Sequence, residues 1–391
     1  MMQMADDAKQ VRRVTIALLI CMVAYAFANS LLSVLLNDVI DAFSIAGAKQ
    51  GLMTSMMSVG TLAAILVTPL LQGRFSKRSV ILASGVILGV GSVLTASAGS
   101  FFTLLALCVF IGLGVGWIDV DLSADMLDTH PRDSTKYLSL LHGFYGVGGL
   151  TAPLVIAAMM TSLSWRGAYR GVGLLVLAAV GAAALLFRSG QKSAAASEEK
   201  LKRADLSAYF SSGRNWVLIA CALLSFVMQT TIIAWVVRYF KLSFGTDALG
   251  GAAISIYWVC LTISRFLFPR LHMKPMRLYT LGSLLFALVM AAGILLHSPA
   301  ALCVACGLGG LTSGHMIPVM IGVCTVGYEG KSTLTTSIVM LTMCIGRFVT
   351  PLLMAWLTAA VSADAGMYVA PVSGLLGVAF GLLAMRRPAA E

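Results

Sequence analysis

Charge is what this chain has least of. Asp, Glu, Lys and Arg make up 11% of its 391 residues, against 59% hydrophobic. A soluble domain carries about 25% charged residues, so an ordinary water-facing fold is excluded. The short alternating strands of a closed membrane barrel are missing as well. So are clustered metal ligands: Cys303-Val-Ala-Cys306 has a CxxC spacing, but no second pair or histidine set accompanies it. All eight cysteines (Cys21, Cys108, Cys221, Cys260, Cys303, Cys306, Cys324, Cys344) fall in apolar stretches and read as buried thiols. No metal, no disulfide framework and no cofactor is expected. No Ser/His/Asp spacing stands out either, and an enzyme is not expected.

What is present is a series of charge-poor runs, each near the length of about 20 residues that crosses a bilayer as a helix. They fall near 14–36, 51–72, 79–98, 101–127, 137–161, 168–187, 215–237, 248–269, 278–296, 300–326, 333–358 and 365–385. With no water in the hydrocarbon core each must satisfy its own backbone, so an all-α membrane protein of twelve spans is expected. Arg12-Arg13, the apolar run after them and Ala26-Phe27-Ala28 mimic a secretory signal. The run continues through Leu36 and eleven spans follow, so an uncleaved first helix is expected. The one long polar segment, roughly 188–213, has a connector's composition. The expected organisation is a six-helix bundle over 1–187, a cytoplasmic linker over 188–214 and a second bundle over 215–391.

Basic residues orient the chain. With both termini in the cytoplasm, 20 Lys and Arg fall on the inner side, among them Arg74, Lys77 and Arg78, and five (Lys49, Arg166, Arg170, Arg238, Lys241) on the outer. That bias is the positive-inside rule, and it accounts for nearly all of the +11 net charge without a nucleic-acid partner. The expected location is the inner or plasma membrane, with the lipid bilayer as the protein's surroundings.

The chain repeats itself about 200 residues on. Asn29 in span one is matched by Gln229 in span seven. Pro69 precedes a basic turn (Arg74, Lys77, Arg78), and Pro269 precedes Arg270, Lys274 and Arg277. Gly112-Leu113-Gly114 recurs as Gly307-Leu308-Gly309, and Gly148…Pro153 as Gly346…Pro351. Two similar membrane halves are how many solute carriers build a central site open to either side in turn.

Ionisable residues inside a membrane are costly and point to function. Span four carries Asp119, Asp121 and Asp125; span five His142; span eight Arg265; span ten His315; span eleven Arg347. Spans three, nine and twelve carry none, and span six only Arg170 at its outer end, as lipid-facing outer helices would. Arg347, His315, Asn29 and Gln229 fall near mid-span and are candidate solute contacts. Arg265 lies four residues before Pro269, where a long side chain can snorkel to the interface or serve a gate. Asp119 and Asp121 face different neighbours, while Asp121 and Asp125 share a face. Asp119 is the candidate proton carrier; Asp121, Asp125 and His142 read as a structural or gating cluster. The aromatics Tyr25, Tyr145, Trp235, Tyr257 and Trp258 suit either a stacked solute or an interface belt.

Across its whole length the chain resembles a twelve-helix transporter of the major facilitator superfamily. Within it, the chain is similar to the fucose–galactose–glucose:proton symporter family. Ala28-Asn29-Ser30-Leu31-Leu32-Ser33-Val34-Leu35-Leu36 is similar to that family's first-helix pattern, Gly116-Trp117-Ile118-Asp119 to its helix-four acid motif, and Leu138 to Gly146 to its helix-five run. The resemblance implies that Asp119 is tied to proton and sugar binding, and that His142 and Tyr145 sit where polar Gln and Asn occur. Ser33 stands where the symporters place an acid, Gly73 replaces the acid of the superfamily's loop signature, and Ser76 its glycine.

These readings lead to a monomeric secondary carrier of a small, sugar-like polar solute, coupled to protons, working by alternating access. An organic-anion carrier fits Arg347, since a mid-membrane guanidinium welcomes a carboxylate or phosphate. Export of a drug or lipid would suit a wide apolar cavity, and a non-transporting sensor would suit the missing helix-one acid.

Overall fold

A computed structural model describes residues 2–45, 52–188, 201–328 and 330–386. Lys49, residues 189–200 of the expected linker with Lys192 and Lys200, and Arg387 lie outside the described residues.

The described residues fold into helices, and twelve of them are long and apolar enough to cross a membrane. These spans are Ala8–Val34, Leu52–Leu71, Lys77–Thr95, Phe101–Thr129, Ser134–Met160 and Trp165–Phe187, then Gly213–Phe244, Ala248–Leu271, Pro275–Leu295, Pro299–Thr325, Ser332–Ala360 and Ala363–Met385. Several run past the apolar stretch that announces them. Span seven continues through Arg238 and Lys241 to Phe244 and stops at Gly245, whose φ of 69° only glycine adopts freely. Other ends are set by local chemistry. Ser76, Ser100 and Ser362 cap spans three and four and the helix opening span twelve, each accepting a bond from a backbone N–H three residues on. Proline opens spans nine and ten, where no N–H is needed. Part of the expected linker is a docked helix, Arg203–Ser211, whose Tyr209 is fully buried. Asn215 holds it by donating to the Tyr209 carbonyl oxygen at 2.8 Å and to the Tyr328 hydroxyl at 2.6 Å.

The chain forms two compact units. One holds Met1–Arg132, Phe144–Leu201 and Gly330–Ser337; the other holds Asp133–Gly143, Lys202–Glu329 and Ile338–Glu391. In the first, span four packs on spans two and three, span three on span six, and span six on span one. In the second, span ten packs on spans eight and nine, span nine on span twelve, and span twelve on span seven. The second list is the first advanced by six spans.

Glycine contacts carry the repeat down to single residues. A Cβ on Gly112 would meet the Met57 carbonyl oxygen at 2.1 Å, and one on Gly116 the Thr61 oxygen at 2.5 Å. In the second unit a Cβ on Gly310 would meet the Tyr257 oxygen at 2.4 Å, and one on Gly314 the Leu261 oxygen at 2.4 Å. Gly148 faces Val23 and Ala26 of span one, and Gly346 faces Leu223 and Phe226 of span seven. The contact match of Gly112 is therefore Gly310 and not Gly307, almost one helical turn of about 3.6 residues further on. Small residues recur along one helix face, so the sequence pattern slips by a turn without penalty.

These close approaches predict a sharp intolerance. Gly112→Val and Gly310→Val should each cost about 1–3 kcal/mol or more, because the obstacle is backbone and cannot rotate away. Gly149→Ala, whose Cβ would meet nothing within 4 Å, should be neutral. Melting temperatures of the purified variants in detergent test this; equal tolerance at all three positions would remove these contacts as a constraint.

Candidate functional site

In the first unit, three of the predicted residues converge. Tyr25 and Asn29 are four residues apart on span one and share a face. Asn29 donates from Nδ2 to the Tyr145 hydroxyl on span five at 2.8 Å. The rings of Tyr25 and Tyr145 lie 5.1 Å apart, and the Tyr25 hydroxyl reaches Asp119 Oδ2 on span four at 3.5 Å. Gly148 makes this possible, since its bare backbone lets span five lie close on span one. Asn29, Asp119 and Tyr145 are half-buried and Tyr25 is buried. The cluster offers a carboxylate, an amide and two phenols, a donor and acceptor set suited to a hydroxylated solute. By sequence Tyr25 suits either a solute or an interface belt; its four-residue spacing from Asn29 is the signal that joins it to this cluster. Ser33 is exposed and its hydroxyl donates to the Ser30 carbonyl oxygen at 3.0 Å.

Asp121 and Asp125 are buried on the same span. Arg78 Nε donates to Asp125 Oδ2 at 3.1 Å while its guanidinium lies over Phe187. Lys77 pairs with Asp128, an acid not singled out from sequence, and donates to the Ser332 hydroxyl at 2.7 Å. Gln72 Nε2 donates to the Gly330 carbonyl oxygen at 3.3 Å. The basic turn thereby holds the start of span eleven, while Arg74 stays exposed.

The second unit solves the same positions differently. Span ten is broken between Ser313 and Met316. Pro318 explains the break: it has no N–H to give the Gly314 carbonyl oxygen, and its ring crowds that oxygen. Arg265 supplies the missing donor, Nε reaching the Gly314 oxygen at 3.2 Å, while Nη1 donates to the His142 carbonyl oxygen at 2.8 Å. Gln229, the counterpart of Asn29, donates to the Ser313 carbonyl oxygen at 2.9 Å. His315 is fully buried, stacked on Phe268 at 4.2 Å, with Nδ1 3.3 Å from the Ser264 hydroxyl and Nε2 3.4 Å from the Leu278 carbonyl oxygen. Arg265 is 5% exposed, so it turns inward to the break instead of snorkelling to an interface. Arg347 stands apart from this group, exposed, with its guanidinium 5.6 Å from the centre of the Phe226 ring.

Twelve spans in two matching sets of six, with polar clusters at mid-span, define the architecture of membrane carriers. The family model of the Major Facilitator Superfamily matches residues 18–296, more than half of the chain, and the chain belongs to that superfamily. The fold is similar to that of FucP, the fucose:proton symporter of E. coli, in its outward conformation, with a TM-score of 0.78, 16% identity, and 95% of this chain and 98% of that one covered. Two curated relatives are a high-affinity glucose transporter of Schizosaccharomyces pombe and a niacin transporter of Acinetobacter baylyi, each 24% identical over the matched stretch. Those stretches cover 29% and 37% of this chain, and only 22% and 33% of the respective relatives.

The break in span ten gives a stability prediction. Arg265→Ala removes the donor from two buried carbonyl oxygens, at about 1–3 kcal/mol each. Arg265→Lys should recover only part of the loss, because one ammonium lacks the planar fork that serves both oxygens. Melting temperatures in detergent decide it, and an Arg265→Ala variant as stable as wild type would dismiss the cap.

Proposed function

We propose that the protein is a proton-coupled secondary transporter for a small polar solute in the inner or plasma membrane. The observation that carries this reading is the Asp119–Tyr25–Tyr145–Asn29 cluster inside a membrane half. A mid-span carboxylate is too costly to keep idle, and a phenol beside it can steady either protonation state. Asp119 takes up and releases the proton. Asn29 and Tyr145 read the solute's hydroxyl groups, with Tyr25 as the positioning residue between them and the acid. Ser33, on the next turn of span one, lines the approach. His315, Gln229 and Arg265 hold the break in span ten, which gives that span a place to bend.

Alternating access follows from the same parts. Residues 1–187 and 215–391 rock as bodies joined by 188–214, with both termini cytoplasmic, and a single chain suffices. Opening the cytoplasmic side requires the start of span eleven to leave Lys77 and Gln72, and residues 133–143 to leave Arg265. Asp125 with Arg78, together with Asp121 and His142, steady these contacts. The likeness to FucP and to a glucose transporter supports a sugar-like solute, while the niacin relative keeps other small solutes within the scaffold's range.

The test is solute-driven pH change in proteoliposomes holding purified protein, with L-fucose, D-glucose and D-xylose and their acid derivatives offered separately. Wild type should couple uptake to proton entry. Asp119→Asn should lose coupled uptake while still exchanging labelled for unlabelled solute across the membrane. Proton flux surviving in Asp119→Asn would remove Asp119 from the coupling role.

A further inference from the structure

Arg347 has no structural task that the fold requires, and that is where it becomes informative. Among the described residues it makes no hydrogen bond and no ion pair; its contact is the face of Phe226. Span eleven shows which way it points. Met340, Met343 and Met354 lie within about 40° of it around the helix, and these are 5%, 5% and 0% exposed. Leu352 and Trp356, 59% and 64% exposed, lie about 140° and 180° round the helix from it, and Phe348, 72% exposed, about 100°. Arg347 is therefore an exposed residue on the protein-facing side of its helix.

The internal repeat supplies a control built into the molecule. Gly346 and Phe226 of the second half occupy the contact made by Gly148 and Ala26 in the first. The residue after Gly148 is Gly149, so the same helix pair is built there with no side chain where Arg347 stands. Packing spans seven and eleven does not call for a guanidinium. An exposed cation at mid-span on the packed side of its helix, over an aromatic ring, suits an oxyanion ligand.

We infer that Arg347 binds an oxyanion on the transported solute, which makes that solute an acid, a carboxylate- or phosphate-bearing polyol, and not a neutral sugar. This rests on the transport reading above and narrows its substrate class. Phe226 is the positioning residue, holding the guanidinium in one plane so that two parallel N–H groups meet two oxygens.

The test uses full-length protein with D-gluconate, D-glucuronate and D-glucose 6-phosphate against D-glucose and D-glucitol. Melting-temperature shifts and proteoliposome uptake are read for wild type, Arg347→Gln and Arg347→Lys. At least one acid should stabilise and be carried by wild type, with uptake roughly 10- to 100-fold lower in Arg347→Gln and partly kept in Arg347→Lys. The unliganded melting temperature should not change, which separates ligand binding from folding. Whether a carboxylate or the phosphate ester responds identifies the oxyanion. Acid uptake unaffected by Arg347→Gln would overturn the inference. Uptake of D-glucose alone, equal in wild type and Arg347→Gln, would overturn it too while leaving the transport reading standing. Silence with every probe, from protein shown folded by its melting curve, would count against both.

Discussion

The close approach of helix backbones at glycine is the constraint on which the rest of this structure depends. Lipid tails are as apolar as leucine, so membrane helices gain little from hiding apolar side chains from them. They associate where surfaces fit, and a missing Cβ lets two backbones come within contact distance. Gly112 and Gly116 seat span four on span two, and Gly310 and Gly314 seat span ten on span eight. Gly148 and Gly346 do the same for spans five and eleven against spans one and seven. The polar groups are placed as a consequence. Tyr145 meets Asn29 one turn from the Gly148 contact, and Arg347 reaches Phe226 from the residue after Gly346.

On that shared frame the halves have diverged where chemistry is at stake. Span four is one continuous helix from Phe101 to Thr129, with Asp119 part-way along. Its counterpart span ten carries Pro318 and breaks, which frees the carbonyl oxygens of Ser313 and Gly314 in a setting without water. Gln229 and Arg265 answer those two oxygens. The amide that meets a tyrosine in the first half therefore closes a backbone gap in the second. A sequence comparison sees Asn29 and Gln229 as equivalents, and by position they are; their partners differ because proline changed what lay opposite one of them.

This explains what could be read from the sequence and what could not. The twelve spans were legible because bilayer thickness imposes length and apolarity that any helix must meet. The halves were legible through spacing, but the register of the glycine match slipped by a turn because small residues recur on one helix face. Asp119, Asn29 and Tyr145 were picked out by residue type at mid-span or by the family resemblance, and they lie together. Their link through Tyr25 needed the geometry of two helices. His315 and Gln229 look the same as solute contacts in sequence, being polar and central. Only the positions of Ser313, Leu278 and Phe268 reveal that they face packed protein. Pro318 is the signal in the sequence for this: a proline inside an apolar span leaves an orphan carbonyl, and a buried donor elsewhere in the chain has to meet it.

The proposed roles of Asp119 and Arg347 fit together through charge. Carrying an ion through a low-dielectric core is expensive unless a fixed countercharge travels with the site. In the empty carrier the charges of Asp119 and Arg347 balance one another. With a proton on the acid and a monoanion at the base, the charges balance again. Either ligand alone would leave an uncompensated charge in the membrane interior, which penalises the half-loaded carrier's passage between its two open states. Obligatory coupling then needs no direct contact between proton and solute. It follows from the cost of charge in hydrocarbon acting on two residues fixed by glycine-packed helices.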